Sequence, residues 1–129
     1  MPRPVVTELV GVYDADGTVL GEIRYWLGAR LGRAHCALCD VSHGTFRRRP
    51  EWSAYLDTLP VPLHTFHRDD RPTDLDGLGP APLVAARTAA GARLLLGPDD
   101  LEACAASVPA FAAALTGAVA TSGLSWPVG

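Results

Sequence analysis

The sequence predicts a single α/β domain, and three observations predict it. A β-rich run, Val5 to Tyr13, ends at the turn signal Asp14-Ala15-Asp16-Gly17. Two more short β-rich segments, Leu83 to Arg87 and Arg93 to Leu96, flank Thr88-Ala89-Ala90-Gly91, a hairpin signature. Between and after these segments, apolar residues recur at helical spacing. A chain of 129 residues, 48% hydrophobic and 19% charged, can build one real core and is too apolar to stay disordered. Residues 1–129 are therefore expected to form one domain.

Taken in order, Val5 to Tyr13 reads as a buried first strand. Val19, Leu20, Ile23, Trp26, Leu27 and Leu31 then give the apolar side of an amphipathic helix, weakened by Gly21 and Gly28. A hairpin return through Thr18 to Leu20 is the alternative for its start. Past Gly44, Arg47-Arg48-Arg49-Pro50 is a basic turn, and Pro50 suits the first position of a helix. Trp52, Tyr55, Leu56 and Leu59 form that helix's stripe, and Pro60 ends it. Val61 to His67 predicts a second strand, and the polar, Gly- and Pro-rich stretch Arg68 to Pro80 predicts a loop. After the hairpin, Gly97-Pro98-Asp99-Asp100 opens a helix carrying Leu101, Cys104 and Ala105. Ser107-Val108-Pro109 predicts a cap and a restart, with a last helix over Phe111 to Val119. The tail from Ser122 is expected to be loose unless Trp126 pins it.

Composition removes several function classes. A net charge of −3 gives no pull toward nucleic acid or an anionic membrane. All eleven positive charges are Arg, so Schiff-base chemistry and a P-loop lysine are excluded. No hydrolase, zincin, Rossmann or P-loop pattern occurs. The uncharged run Ala103 to Ala120 is broken by Pro109 and Gly117 and is too weakly hydrophobic for a membrane span. The first residues carry no apolar secretory segment and the three cysteines are an odd number, so a cytoplasmic, reducing location is expected.

The chemistry concentrates in His35-Cys36-Ala37-Leu38-Cys39-Asp40-Val41-Ser42-His43-Gly44, which holds two of the three cysteines and two of the four histidines. At about 100° per residue, a helix here places Cys36, Cys39, Asp40 and His43 on one face with His35 at its edge. Ala37, Leu38 and Val41 fall opposite, free to dock on a core, and Gly44 suits a helix stop. Two thiolates and an imidazole at this spacing can bind a soft transition metal, Zn²⁺ or Cu⁺. Asp40 is placed to hydrogen-bond the ligating imidazole. Candidates for a fourth ligand are His35, Cys104, His64, His67 or a water. His64 and His67, three apart, belong on opposite faces of a strand and do not share an ion. The alternative is a dithiol that exchanges with a thiol or disulfide substrate, with Cys36 attacking and Cys39 resolving, favoured by flanking arginines. A third reading is an interaction module whose thiols are small apolar packing residues.

The order of elements, a parallel strand pair joined through helices, then a hairpin and a terminal helix, resembles the thioredoxin-like fold. Ala81-Pro82-Leu83-Val84 looks like that fold's cis-proline position, and Gly91 through Leu101 resembles the ending of glutaredoxin-like proteins. The resemblance implies a central four-stranded mixed sheet flanked by helices, with a groove at Pro82 facing the thiols. Thioredoxin-like enzymes carry Cys-x-x-Cys directly after the first strand. Here residues 14–35 intervene, which implies a helical insertion carrying the motif. The Cys-x-x-Cys-Asp-x-x-His-Gly pattern also looks like that of small bacterial proteins of unassigned function.

Overall fold

The structure is a computed structural model that describes residues 3–13, 38 and 49–127. Its elements run β1 (Glu8–Val12), α1 (Pro50–Thr58), β2 (Leu63–Phe66), two 3₁₀ turns (Arg68–Asp70 and Thr73–Leu78), β3 (Leu83–Thr88), β4 (Gly91–Leu96), α2 (Pro98–Ala103) and α3 (Val108–Thr121). The predicted helix over Val19 to Leu31 lies outside the described residues. The four strands form one mixed sheet in the order β2-β1-β3-β4. β1 and β2 are parallel, with Leu9 opposite Leu63 and Val12 opposite Phe66. β3 runs antiparallel to β1, with Val12 opposite Leu83, and β4 returns antiparallel to β3. The predicted α/β class, with a mixed sheet and flanking helices, is therefore what the chain adopts.

Local chemistry explains where elements start and stop. α1 begins at Pro50, which has no N–H to waste there, and ends where the Leu59 N–H bonds back to the Leu56 carbonyl just before Pro60. The β3–β4 turn uses only Ala89 and Ala90. Thr88 Oγ1 accepts the Ala90 N–H at 3.1 Å, and Gly91 takes φ +113°, which a residue with a Cβ rarely adopts. A bulge at Val84/Ala85 sets Leu96 against Val84 but Leu94 against Ala85. It turns both Leu95 and Leu96 inward, where a regular strand would bury only one.

Two cores sandwich the sheet. On one face Leu9, Val84, Ala86, Leu95 and Leu96 meet Trp52 of α1 and Phe111, Leu115 and Val119 of α3. Trp52 and Phe111 meet edge to face at 5.0 Å, and Tyr55 closes on Phe111 at 5.9 Å. Burial of Tyr55 pushes its phenol up to about 12. Truncating either buried aromatic to Ala would cost about 3–5 kcal/mol, so this seam fixes the helices on the sheet. On the other face Val10, Val12, Leu83 and Ala85 pack around Leu75.

Three details depart from the sequence expectations. Arg68 to Pro80 holds two 3₁₀ turns, and Leu75 is fully buried because the sheet's second apolar face has to be covered. Asp74, within the stretch predicted as a free polar loop, is tied to β3 by two hydrogen bonds of 3.0 Å from Arg87 Nε and Nη2. α2 ends at Ala103 rather than running through Ala105, because Ala105 and Ala106 adopt left-handed backbone, φ +50° and +61°. Ser107 then caps α3 as predicted, its Oγ accepting the Ala110 N–H at 3.2 Å.

The tail is held. Leu124 is buried, and Trp126 packs against the first core. Ser125 bridges Val5, accepting the Val6 N–H at 2.9 Å and donating to the Pro4 carbonyl at 3.0 Å. Among the described residues no helix is long and apolar enough to cross a membrane.

Candidate thiol site

Leu38 stands between the two motif cysteines, and it is helical and fully buried in the first core. The sheet offers it a specific seat. Leu9, Gly11 and Tyr13 alternate onto the same face of β1, and Gly11 leaves that row without a side chain. A Cβ built at Gly11 would stand 3.1 Å from Leu38 Cδ2 and 3.5 Å from Thr65 Cγ2. The leucine therefore fills the gap in the row, beside the Thr65 that pairs with Gly11. Sequence reasoning placed Leu38 on the docking side of the motif but missed Gly11. A glycine inside a β-rich run, marking the close approach of another element, was the available signal.

Cys36, Cys39, Asp40 and His43, with His35 and Gly44, lie outside the described residues, as do Arg47 and Arg48. Arg49, the last of the basic run, is used structurally. Its Nη1 donates to the Ala106 carbonyl at 2.6 Å, and its Nη2 pairs with Glu51 at 2.9 Å.

The remaining candidates separate by position. His67 follows β2 directly and meets Tyr13, their ring centroids 5.5 Å apart and tilted by 53°. The Tyr13 N–H bonds to the Phe66 carbonyl at 2.8 Å, so these two rings cap the same end of β1 and β2. His64 sits opposite Val10, a member of the second core, with Nε2 3.5 Å from Glu8 Oε2. The two histidines thus go to opposite faces, as their spacing predicts, and His67 is on the Leu38 side. Cys104 lies in the first core and donates its S–H to the Asp100 carbonyl at 3.4 Å. Burial, and then the nearby Asp100 charge, push its thiol up. Pro82 is buried, follows a cis Ala81–Pro82 peptide, and precedes the Leu83 that pairs with Val12. Gly11 with Leu38, Tyr13 with His67, and Pro82 accordingly share one end of the sheet.

Among the described residues no group of three or more His, Cys, Asp or Glu is arranged to hold a metal ion. Of the ligands proposed from the sequence, only Cys104, His64 and His67 fall within that search. Comparison with protein-family models, with curated proteins and with solved structures finds no match to this chain.

Proposed function

We propose that the protein binds a soft transition metal ion, Zn²⁺ or Cu⁺, through Cys36, Cys39 and His43 on a thioredoxin-like domain. One observation carries this reading: Leu38, at the centre of the motif, is fully buried over Gly11. The helical spacing read from the sequence sets Leu38 opposite Cys36, Cys39 and His43, so a buried Leu38 supports that reading. Thiolate sulfur and neutral imidazole nitrogen suit both ions, and Asp40 would orient the imidazole by hydrogen bonding. For the fourth position His67 is the described candidate on the Leu38 side of the sheet, with His35 or a water as the alternatives from the sequence. His64 lies on the face of the sheet away from Leu38, and Cys104 is buried in the first core with its S–H on the Asp100 carbonyl.

A second function, thiol–disulfide exchange, draws support from the strand order β2-β1-β3-β4 with its parallel first pair. That order is what a thioredoxin-like domain requires, and Pro82 lies at the Leu38 end of it. In this chemistry the Cys36 thiolate attacks a substrate disulfide, forms a mixed disulfide and expels one substrate thiolate. The Cys39 thiolate then attacks the Cys36 sulfur and expels the second. The substrate gains two electrons, and the protein is left with a Cys36–Cys39 disulfide.

His43 separates the two. Elemental analysis and thiol-exchange rates are compared for the wild type and His43→Ala, both purified under reducing conditions. A metal site predicts bound metal in the wild type and an affinity loss of orders of magnitude in the variant, beyond the roughly 10–100-fold lost when groups that only orient the ligands are removed. Metal-free wild type, with exchange equally fast in both proteins, replaces the metal site with the oxidoreductase. Absence of both leaves an interaction module with packing thiols.

A further inference from the structure

We infer that the outer edge of β4 is a docking site for an extended segment of a partner protein, one that carries an acidic residue between two apolar ones. The inference rests on β4 and is independent of the chemistry of the thiols.

β4 closes one side of the sheet, and β3 is its neighbour strand among the described residues. The register fixes which of its backbone groups are free. The Arg87 carbonyl is turned to β1, where it accepts the Thr7 N–H at 2.8 Å, so Arg87 and the Ala92 opposite it do not bond each other. Gly91 and Arg93 therefore bond to β3, and Ala92 and Leu94 aim their N–H and C=O groups out of the sheet. Among the described residues nothing pairs with those groups. Another extended backbone satisfies all four of them at strand spacing. The edge also lacks the usual guards. No lysine or proline stands on it, and Leu94 is 40% exposed. Past Leu94 the bulge and then Pro98 end it, which suits a short segment.

Charge decides the kind of segment. Arg93 lies opposite Ala86 of the first core, hence on the α3 side of the sheet, and its Nη2 donates to the Ser122 carbonyl at 3.1 Å. Among the described residues no carboxylate pairs with it, whereas Arg49 and Arg87 each have one. An antiparallel segment bonded at Ala92 and Leu94 places one side chain directly across from Arg93. That is the close, non-hydrogen-bonded position, where an acidic residue is favoured. Its two neighbours fall on the other face, beside Ala92 and the exposed Leu94, where apolar side chains are favoured. A second copy of this chain in the same register would set Arg93 against Arg93, a like-charge pair.

The test is an NMR titration of the full chain with two peptides capped at both ends, Thr-Val-Glu-Val-Thr and Thr-Val-Arg-Val-Thr. The expected result is saturable movement of the Ala92 and Leu94 amide signals by the acidic peptide, with the arginine peptide weaker by about threefold or more. In Arg93→Glu the order of the two peptides reverses. Leu94→Pro removes an outward N–H and no bond to β3, so it leaves the hairpin intact and weakens the acidic peptide by about tenfold or more. Should Leu94→Pro fail to fold, the reversal in Arg93→Glu decides alone. Still β4 amides at about 2 mM peptide would overturn the inference, as would equal binding of the two peptides to the wild type. An order of peptides that persists in Arg93→Glu overturns it too. So does a wild-type dimer in sedimentation that Leu94→Pro dissociates and no peptide displaces, because a second copy then holds the edge.

Discussion

Ala105 and Ala106 show how a single residue can carry strain for the sake of a connection. Both take left-handed backbone between α2 and α3, where their Cβ atoms crowd the following carbonyls. The turn persists because Arg49 holds the Ala106 carbonyl and Ser107 caps α3. Left-handed backbone costs a non-glycine residue roughly 1–2 kcal/mol, and glycine gives back about 0.5–1 kcal/mol through its freer unfolded chain. Ala105 is exposed, so no packing is lost with its methyl. Ala105→Gly should therefore stabilise the protein by about 0.5–1 kcal/mol, and Ala105→Val should destabilise it, both read by urea denaturation. Nothing in the sequence announces this turn. Ala-Ala is a good helical pair, and only the restart at Ser107 hints that the helix has to break before it.

At the scale of elements, the sheet's second face is closed by a short irregular segment tied down at its polar edge. Arg87 on β3 reaches Asp74 in the Thr73–Leu78 turn and Glu8 on β1, and Glu8 in turn lies beside His64 on β2. Hydrogen bonding to Arg87 holds the Asp74 carboxyl below its usual range. A carboxylate depressed in the folded state adds stability above its unfolded pKa, near about 3.9, and loses it as pH falls through the folded value. Asp74 is well exposed, so solvent limits the pair to about 0.5–1 kcal/mol despite its two-pronged geometry. Asp74→Asn should be less stable than the wild type by about that amount at neutral pH, with the gap closing once both are measured below the carboxylate range. A gap that persists in acid would mean that Asp74 acts through its shape rather than its charge. The clamp was hidden in the sequence because Asp74 and Arg87 lie on different elements and neither belongs to a motif.

For the molecule as a whole, the elements with strong local signals were legible: Pro50 and Pro60 bracketing α1, Thr88 to Gly91 turning the hairpin, and Ser107 starting α3. Leu38 was legible too, as the apolar side of a motif whose other side is polar. What could not be read were the long-range fits: the gap at Gly11, the burial of Leu75, and how much besides Trp126 holds the tail. The tail gives the sharpest case. By composition the tail from Ser122 should be loose unless Trp126 pins it. In the structure Leu124 is buried, Trp126 lies against the first core, and Ser125 exchanges two backbone hydrogen bonds with the strand entry at Pro4 and Val6. A buried leucine contributes about 2–5 kcal/mol when truncated, and each backbone hydrogen bond about 0.5–1.5 kcal/mol net. Together these approach much of the roughly 5–15 kcal/mol that keeps a domain folded. A chain ending at Gly123 should therefore lose about 3–6 kcal/mol and unfold at much lower urea, while Leu124→Ala alone should lose about 2–4 kcal/mol. A truncated chain as stable as the full one would show that the parallel bridge between Val5 and Ser125 joins the two ends of the domain without holding it together.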